Sequence, residues 1–408
     1  MPKSLYICYF GLREPLVQTQ VLPYIREVIK DGIEVSIVTF EPEAIGETDE
    51  KILRDELAAQ GIIWHWLRYH KRPSAIATAY DIFIGSLFVW RLLGREKFDI
   101  LHGRVHIPTL MGALARKFSR RSPKLLFDIR GFFPEEYTDA GIWPAGGLLY
   151  RSAKRVEKWL LQEADGFVIL TERGREILFP GSADTGHDAL GRPVEVIPCC
   201  VDMDRFADLT TESRNEMRTH LGVEGRKVMV YVGSFGGWYL SDEMFDLFAA
   251  AKRADPNVFV MILTQRQTEL ATERMLELGF TANDFLVKTV SPAEMPDFLN
   301  AADAAVSYIK NCYSKQASSP TKNAEYLAAG LPVIANEGIG DVDSLIIGDG
   351  VGVLIGTFDD ESYLSAIDGL ADLGDIADHC RETAKLRFDL ENVGGVRYRR
   401  LYERLLQS

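Results

Sequence analysis

The residues best suited to chemistry lie in one segment, residues 317–336, with the sequence ASSPTKNAEYLAAGLPVIAN. Ser319 is expected to cap a helix that starts with Pro320, and Gly330 is expected to end that helix before a buried strand. A helix N-terminus offers unpaired backbone N–H groups and a partial positive charge. The segment is therefore suited to holding an anionic group such as a diphosphate.

Lys322 and Glu325 are three residues apart, which places them on one face of the predicted helix. Lys322 would add a full charge to the anion site, whose backbone donors lie near Ser318, Ser319 and Thr321. Glu325 would accept hydrogen bonds from a ribose or sugar hydroxyl. The same spacing also suits an exposed ion pair that contributes roughly 0.2–0.5 kcal/mol, so spacing alone leaves both interpretations open.

A loop rich in glycine follows the apolar run KVMVYV. Gly233, Gly236 and Gly237 would let the backbone approach a phosphate or a sugar closely, because glycine has no side chain and tolerates unusual backbone angles. An ordinary tight turn from a strand to a helix would give the same pattern.

Polar side chains also follow two strand-like runs in the first half of the chain. Asp128 and Arg130 come at the end of KLLFDI, and we expect them either to contact donor or acceptor or to form an internal ion pair. His102 and Arg104 end the run ILHGR, where a buried structural histidine is the favoured interpretation.

The loop 11–20, with the sequence GLREPLVQTQ, follows the first predicted strand. An acceptor site is expected to use such a loop, because ligands bind beyond the strand ends of open α/β sheets. The candidate acceptor-binding residues are Arg13, Gln18 and Gln20, and a solvated loop is the alternative.

Strand-like and helix-like runs alternate along the whole chain, a pattern typical of α/β proteins with parallel sheets covered on both faces. Pro198 and an acidic turn interrupt this pattern in residues 197–206. The predicted fold is two Rossmann-like, doubly wound domains, 1–200 and 201–385. A C-terminal helix, 386–408, is expected to fold back to the first domain.

The composition excludes several classes of protein. A formal net charge of -13 disfavours nucleic-acid binding, because a phosphate backbone would meet a repulsive field. The seven histidines show no metal-site spacing, so neither a metal nor a cofactor is expected. The five cysteines form no disulfide framework and the chain starts with a strand-like run, which favours a reducing, cytoplasmic location.

Two features leave a membrane contact open. The apolar stretch 76–93 is interrupted by Asp81, Ser86 and Arg91, which favours a core or interface helix over a spanning one. A basic cluster is either a solvated helix end or a peripheral docking site for the inner face of an anionic membrane carrying a lipid-linked acceptor. Its members are Arg116, Lys117, Arg120, Arg121 and Lys124.

Taken together, several segments resemble retaining glycosyltransferase family 4, in a bacterial branch. The family's donor-binding segment is similar to SPTKNAEYLAAGLPVIA, its interdomain turn to VIPCCVDMDRF and its phosphate loop to YVGSFGGWYLSDEMF. Its first domain resembles EPLVQTQVLPYIREVIKDGIEVSIVTFE and LLFDIRGFFPEEY. The resemblance implies a GT-B fold with an interdomain cleft and a retaining, metal-independent transfer of sugar. The donor would be a nucleoside-diphosphate sugar and the acceptor a glycan or lipid-linked molecule, in surface-polysaccharide biosynthesis.

The resemblance assigns Glu325 to the ribose of the nucleotide, as the second of two glutamates in the family pattern. Ala317 stands where the first glutamate is expected, and the Arg and Lys that commonly follow the phosphate loop are missing. Lys322 is therefore expected to neutralise the diphosphate, with Arg130 reaching across the cleft and Asp128 beside it. In this family the leaving phosphate is thought to accept the acceptor's proton, so no protein nucleophile is required.

Two other functions stay open. A sugar-nucleotide 2-epimerase can use the same double-Rossmann architecture and would need acids and bases around the sugar. A non-catalytic binding subunit would keep the donor pocket, and Ala317 together with the missing phosphate-loop cations is compatible with it.

Overall fold

The computed structural model describes residues 1–407 and divides the chain into two compact units. The first unit consists of Met1–Pro198 and of the chain from Leu390 onward, and the second consists of Cys199–Asp389. The boundaries expected from the sequence, after residues 200 and 385, lie within a few residues of these.

The sheet of the first unit is parallel throughout. Over residues 1–407 its strands are β1 (Lys3–Ile7), β2 (Glu34–Glu41), β3 (Ile62–Arg68), β4 (Ile100–Arg104), β5 (Lys124–Ile129), β6 (Gly166–Ile169) and β7 (Val194–Val196), in the order β3-β2-β1-β4-β5-β6-β7. The central strands are nearly continuous runs of buried residues, because helices cover both faces of the sheet.

The helices of this unit up to residue 198 are α1 (Pro15–Gln20), α2 (Leu22–Ile29), α3 (Glu47–Ala59), α4 (Ser74–Arg95), α5 (His106–Lys117), α6 (Phe133–Asp139), α7 (Leu148–Glu163) and α8 (Glu172–Leu178). The predicted loop 11–20 is shorter than expected, because Pro15 takes the first helical position and starts α1 inside it. Gln18 and Gln20 therefore lie on a helix, which corrects the sequence-based interpretation.

The second unit has a parallel sheet of its own. In the described residues its strands are β8 (Val228–Val232), β9 (Phe259–Leu263), β10 (Phe285–Lys288), β11 (Ala304–Ser307), β12 (Val333–Asn336) and β13 (Gly352–Ile355), in the order β10-β9-β8-β11-β12-β13. Its helices are α9 (Thr211–Leu221), α10 (Ser241–Ala254), α11 (Thr268–Glu277), α12 (Met295–Asn300), α13 (Thr321–Ala328), α14 (Asp360–Leu373) and α15 (Ala377–Phe388).

The chain returns to the first unit through a π-helical segment and continues as α16 (Val396–Gln407). The Tyr398 hydroxyl donates a hydrogen bond to Asp128 Oδ2 at 3.0 Å, and Arg399 Nη1 donates to Glu27 Oε2 at 2.7 Å. These contacts tie the C-terminal helix to the end of β5 and to α2.

Each sheet has a point at which the strand order reverses. It lies between β1 and β4 in the first unit and between β8 and β11 in the second. Connections leave on opposite faces of the sheet at such a point and open a crevice at the carboxyl ends of the strands. These strand ends are therefore the expected ligand-binding positions of the two units.

Candidate functional site

Helix α13 begins near the strand reversal of the second unit. It spans Thr321–Ala328, and Gly330, at φ +85°, follows its end as expected from the sequence. The predicted cap is wrong, because Pro320 occupies the N-cap position. Ser319 Oγ instead accepts a hydrogen bond from the backbone N–H of Cys199 at 3.1 Å. The helix therefore begins one residue later than the sequence indicated.

Tyr326 fixes α13 against the two strands at the reversal. Its hydroxyl accepts a hydrogen bond from the Val232 N–H at 2.7 Å, at the end of β8, and donates to the Val306 carbonyl at 3.3 Å in β11. The side chain is fully buried. This anchor sets the positions of Lys322 and Glu325 on the same helix.

Lys322 is buried at this position without a hydrogen-bond partner. Its Nζ lies 4.5 Å from the ring centroid of Tyr231 and 4.3 Å from that of Tyr239. Within the described structure no acceptor reaches Nζ, and burial lowers the pKa of this lysine to about 7. The aromatic rings offset part of the desolvation of an ammonium but do not replace hydrogen-bond acceptors. An anionic ligand would therefore stabilise Lys322.

The predicted glycine loop lies next to this lysine. A β-carbon at Gly233 would be 3.3 Å from Nζ of Lys322 and 3.1 Å from the Tyr231 hydroxyl. Gly233 also has φ +148°, which other residues rarely adopt. The structure thus brings Gly233 and Lys322 together, while Gly236 and Gly237, both at positive φ, shape the turn that follows.

Tyr239 connects this loop to open space. Besides contacting Lys322, it lines a cavity of about 460 Å³ together with Phe235 and Gly236. A cavity of this size lies within the range of small-molecule sites. The loop therefore borders a cavity at Gly236, although Lys322 and Gly233 do not line it.

Glu325 is paired with an arginine that the sequence analysis missed. Arg205 Nη1 lies 3.1 Å from Glu325 Oε1, and its Nη2 donates to the Pro292 carbonyl at 2.7 Å. Burial raises the pKa of Glu325, and Arg205 opposes that shift. Arg205 belongs to VIPCCVDMDRF, whose local pattern indicates only a domain boundary. Its contact with α13 depends on tertiary packing.

The remaining predicted donor-binding positions surround the start of α13. Ala317 ends a 3-10 turn, Tyr313–Ala317, and is fully buried, so the position of the expected first glutamate faces the protein interior. Ser318 and Thr321 are half-buried on either side of the helix start.

In the first unit, the structure brings Arg130 together with Gln20 and Asp128. Arg130 Nη2 donates to Gln20 Oε1 at 3.4 Å, and Nη1 lies 3.7 Å from Asp128 Oδ1. Burial opposes the ionisation of Asp128, but Arg130, His102 and Arg104 outweigh it and hold its pKa at about 2. Asp128 has no exposed surface. In this structure Asp128 forms an internal ion pair with Arg130.

The other predicted acceptor residues lie outside this network. Arg13 is exposed and pairs with Asp49 at 3.0 Å, a contact that contributes about 1 kcal/mol or less. Gln18 Nε2 donates to the Leu12 carbonyl at 2.7 Å, within its own turn. Of the three predicted acceptor residues, Gln20 is therefore the one whose described contacts include another candidate residue, Arg130.

Comparison with known families identifies the chain. Residues 17–180 match the model described as a glycosyl transferase 4-like domain, and residues 213–387 match the model described as glycosyl transferases group 1. Each match lies within one structural unit, and together they cover most of the chain. The protein belongs to the group 1 glycosyltransferases. This confirms the resemblance to a group 1, family 4-like glycosyltransferase, whereas retention of configuration and the bacterial branch stay predictions.

Solved structures share the fold of this glycosyltransferase at low identity. A glycosyltransferase from Rickettsia africae ESF-5 has a TM-score of 0.71 and 16% identity, covering 100% of this chain and 99% of its own. HepE from Anabaena, in complex with UDP-glucose, has a TM-score of 0.68 and 15% identity over 100% of both chains. Sucrose-phosphate synthase from Thermosynechococcus elongatus has a TM-score of 0.70 and 15% identity, again over 100% of both. The shared fold is GT-B. A search of curated protein sequences found no match.

The basic cluster of the glycosyltransferase is smaller than its sequence suggested. Arg116 is half-buried and bonded to Asp165, and Lys124 is half-buried in β5. Arg116 is therefore used within the unit. The members that remain exposed are Lys117, Arg120 and Arg121.

Helix α4 is, within residues 1–407, the one helix long and apolar enough to cross a membrane by length and composition. A third of its apolar window is buried, and Asp81 on the buried side accepts hydrogen bonds from the Tyr9 hydroxyl at 2.7 Å and the His70 N–H at 3.0 Å. One side of α4 thus packs inside the unit, as expected for a core helix, whereas the other side is exposed.

Among residues 1–407, no group of three or more His, Cys, Asp or Glu side chains is arranged to hold a metal ion. The metal independence expected from the sequence stays a prediction.

Proposed function

We propose that this glycosyltransferase moves a sugar from a nucleoside-diphosphate sugar to a glycan or lipid-linked acceptor. The family assignment supports the transfer, and a protein of the same fold, HepE, is solved with UDP-glucose. The proposal includes retention of the anomeric configuration, independence from metal ions, and work in surface-polysaccharide biosynthesis at the cytoplasmic face of a membrane.

The observation that carries this proposal is the unpartnered ammonium of Lys322 at the strand reversal. Negative charge develops on the leaving diphosphate as its bond to the sugar breaks, and stabilising that charge is the main catalytic task. Lys322 lacks the carboxylate that an ordinary buried ion pair would supply. A diphosphate would take that place, and Gly233, which has no side chain, lies beside Nζ.

Glu325 and Arg205 support the nucleotide part of the proposal. Arg205 pairs with Oε1 of Glu325, so Oε2 is left to accept a hydrogen bond from a ribose hydroxyl. The guanidinium also offsets the repulsion between this carboxylate and the nearby diphosphate. Glu325 is therefore proposed to orient the nucleotide while Lys322 stabilises the leaving group.

The proposed reaction needs no protein nucleophile. The acceptor hydroxyl attacks the anomeric carbon from the face that the diphosphate leaves, and the departing diphosphate oxygen takes the hydroxyl proton. One C–O bond to the diphosphate breaks while one C–O bond to the acceptor forms. Retention of configuration follows from this geometry.

Turnover of nucleotide sugars by the full chain tests the proposal. Lys322→Met keeps an unbranched, slightly shorter side chain but removes its charge, and we expect release of nucleoside diphosphate to fall by about 10²- to 10³-fold. Lys385→Met is the matched control, because Lys385 is exposed on α15 of the same unit and should keep the wild-type rate. An unchanged rate in Lys322→Met would overturn the proposed mechanism.

The same assay separates the alternative functions. If the donor is epimerised without release of diphosphate when no acceptor is present, the protein is a 2-epimerase and not a transferase. If the protein binds the donor but neither releases diphosphate nor transfers sugar to any acceptor tried, it is a binding subunit.

The enzyme is further proposed to dock on an anionic membrane through the exposed side of α4. This side carries an apolar stripe spaced seven residues apart, with Ile76 70% exposed, Phe83 65% and Trp90 43%. Trp90 Nε1 donates to the Phe118 carbonyl at 2.9 Å, which joins the stripe to the end of α5, where Phe118 is 74% exposed. The apolar surface is therefore continuous from α4 to the basic turn after α5.

Charge favours a lipid surface as the partner of this stripe. The acidic residue of α4, Asp81, faces inward, whereas exposed cations flank the stripe on a chain of net charge -13. These cations are Lys71, Arg72, Arg91, Lys117, Arg120 and Arg121. An apolar helix face bordered by Lys and Arg is typical of helices that lie in the interface of anionic membranes. Since its other side is packed in the unit, α4 would lie on the membrane and not span it.

A further inference from the structure

Arg104 lies at the strand reversal of the first unit without the hydrogen bonds that a buried guanidinium needs. It ends β4, the strand that pairs with β1 where the strand order reverses. Its side chain is 4% exposed, and its Nε and Nη1 have no hydrogen-bond partner in the described structure. Buried polar groups are nearly always paired, so these two donors point to a missing acceptor.

Arg104 shares its ion-pair partner with a second arginine. Its ion-pair partner in the described chain is Asp128, whose Oδ2 lies 3.6 Å from Nη1. Asp128 is shared with Arg130, at 3.7 Å through Oδ1. His102 adds no negative charge, and burial lowers its pKa. Asp128 therefore does not serve Arg104 alone, and Nε and Nη1 of Arg104 are left for a further acceptor.

The backbone next to Arg104 is held in an unusual conformation. Val105 has φ 68° and ψ 176°, a region that is essentially reserved for glycine. A β-branched residue stays there only when its surroundings enforce it, and such positions cluster at ligand sites. Arg104 directly precedes this strained position, where β4 ends and α5 begins.

The two units repeat the same arrangement. In each, a buried cation without a hydrogen-bond partner lies at a strand reversal: Lys322 near β8 and β11, and Arg104 at the end of β4. Since the proposed function gives the donor diphosphate to Lys322, the cation of the first unit is left for a different ligand.

We propose that Arg104, together with Arg130, forms a second anion site that binds a phosphate or carboxylate group of the acceptor. A guanidinium offers a planar fork of donors, which fits both oxyanions. The inference rests on the proposed function, since it assumes that the donor is bound by Lys322. It gives Arg130 a role in acceptor binding instead of the diphosphate contact that the sequence suggested.

Thermal-shift titrations of the full chain test this site. The probes are inorganic phosphate, glucose 6-phosphate and glucuronate, with glucose as the neutral control, on wild type, Arg104→Met and Lys322→Met. Anions should raise Tm in wild type and in Lys322→Met, and Arg104→Met should bind them at least about tenfold more weakly. A preference for glucose 6-phosphate or for glucuronate then identifies the acceptor group as phosphate or carboxylate. Equal anion affinity in wild type and Arg104→Met would overturn the proposal.

The same variants distinguish this site from the donor site. A shift with UDP should survive in Arg104→Met and be strongly reduced in Lys322→Met, the reverse of the pattern for the sugar anions. If no variant responds to any nucleotide while the anion shift still depends on Arg104, the proposed donor site fails and the anion site stands. An anion shift lost in Lys322→Met but kept in Arg104→Met would show that anions bind only at Lys322.

Stability without ligand provides a further check on a purely structural role. Asp128 keeps Arg130 and Tyr398 as partners in Arg104→Met, so we expect the Tm of the ligand-free variant to stay at or above that of wild type. A large loss of Tm with unchanged anion affinity would make Arg104 an internal ion-pair residue. If Arg104→Met fails to fold, Arg104→Lys keeps the charge but not the fork and is expected to weaken anion binding.

Discussion

At the scale of single residues, Lys322 combines burial with the absence of a counter-ion. Tyr231 and Tyr239 surround Nζ with aromatic rings, and Gly233 leaves one approach without a side chain. Burial holds its pKa at about 7, so the charge that would bind a diphosphate is sensitive to pH near neutrality.

This pKa predicts how donor affinity depends on pH. A bound anion favours the protonated lysine and raises its pKa above 7, so binding takes up a proton above pH 7. The affinity of wild type for a nucleotide sugar should therefore be constant below pH 7 and fall by up to about tenfold per pH unit above it. Isothermal titration from pH 6 to 8.5 measures this, and proton uptake appears as a dependence on the ionisation enthalpy of the buffer.

Lys322→Met is the control for this pH dependence. It should bind the nucleotide sugar more weakly and with an affinity that does not change between pH 6 and 8.5. A wild-type affinity that is equally flat over this range would show that Lys322 does not contact the diphosphate.

The sequence predicted the residues of this site that lie close together along the chain. Helical spacing and the family resemblance identified Lys322 and Glu325, which share one helix. The contact of Arg205 with Glu325 could not be predicted, because the two residues come from different elements and meet only through packing. The same holds for Gln20 and Arg130, which lie 110 positions apart.

At the scale of elements, the glycine loop and α13 form one assembly at the end of β8. The Tyr326 hydroxyl binds the Val232 N–H, and Gly233 follows directly. A side chain at Gly233 would press on both Tyr231 and Lys322, so the loop and the lysine constrain each other.

Gly233→Ala is therefore expected to damage both stability and donor binding. The positive φ and the close contacts should lower the free energy of unfolding by about 1–3 kcal/mol, as measured by denaturant unfolding, and donor affinity should fall as well. Gly348→Ala is the matched control, because a β-carbon there meets no atom within 4 Å. If both variants unfold alike, the close packing of Gly233 against Lys322 is not present in solution.

Most strands could be predicted because parallel strands buried on both faces are continuous apolar runs. β13 is harder to predict in this way, because it has only four residues, GVLI, and half of them are only partly buried. The helix start at Thr321 and the helix α1 were misplaced because the sequence does not show whether a proline takes the N-cap position, as Pro320 does, or the first helical position, as Pro15 does.

At the scale of the whole molecule, the sequence predicted two doubly wound units and an arginine-rich C-terminal helix that returns to the first. The structure shows which residues receive that helix, among them Glu27 and Asp128. These partners lie hundreds of residues away in sequence, so no local pattern could have identified them.

The exposed side of α4 predicts binding of the whole enzyme to anionic vesicles. Two double variants should each reduce co-sedimentation with phosphatidylglycerol vesicles severalfold. Phe83→Ser with Trp90→Ser removes apolar area, and Arg120→Glu with Arg121→Glu reverses charge. Leu386→Ser is the control, since Leu386 is 69% exposed in the second unit. Membrane docking is refuted if wild type binds these vesicles no better than neutral phosphatidylcholine vesicles. It is also refuted if wild type self-associates through this stripe instead.

The central claim is that a nucleotide-sugar site is built on α13, and a thermal-shift panel tests it most directly. UDP, GDP, dTDP and ADP sugars are to be compared with and without Mg²⁺ on wild type and Glu325→Ala. One nucleotide at 100 times its Kd should stabilise wild type by about 2.7 kcal/mol without metal, and the shift should be lost or strongly reduced in Glu325→Ala. No shift with any nucleotide sugar, or a shift that Glu325→Ala leaves unchanged, would contradict the site described here.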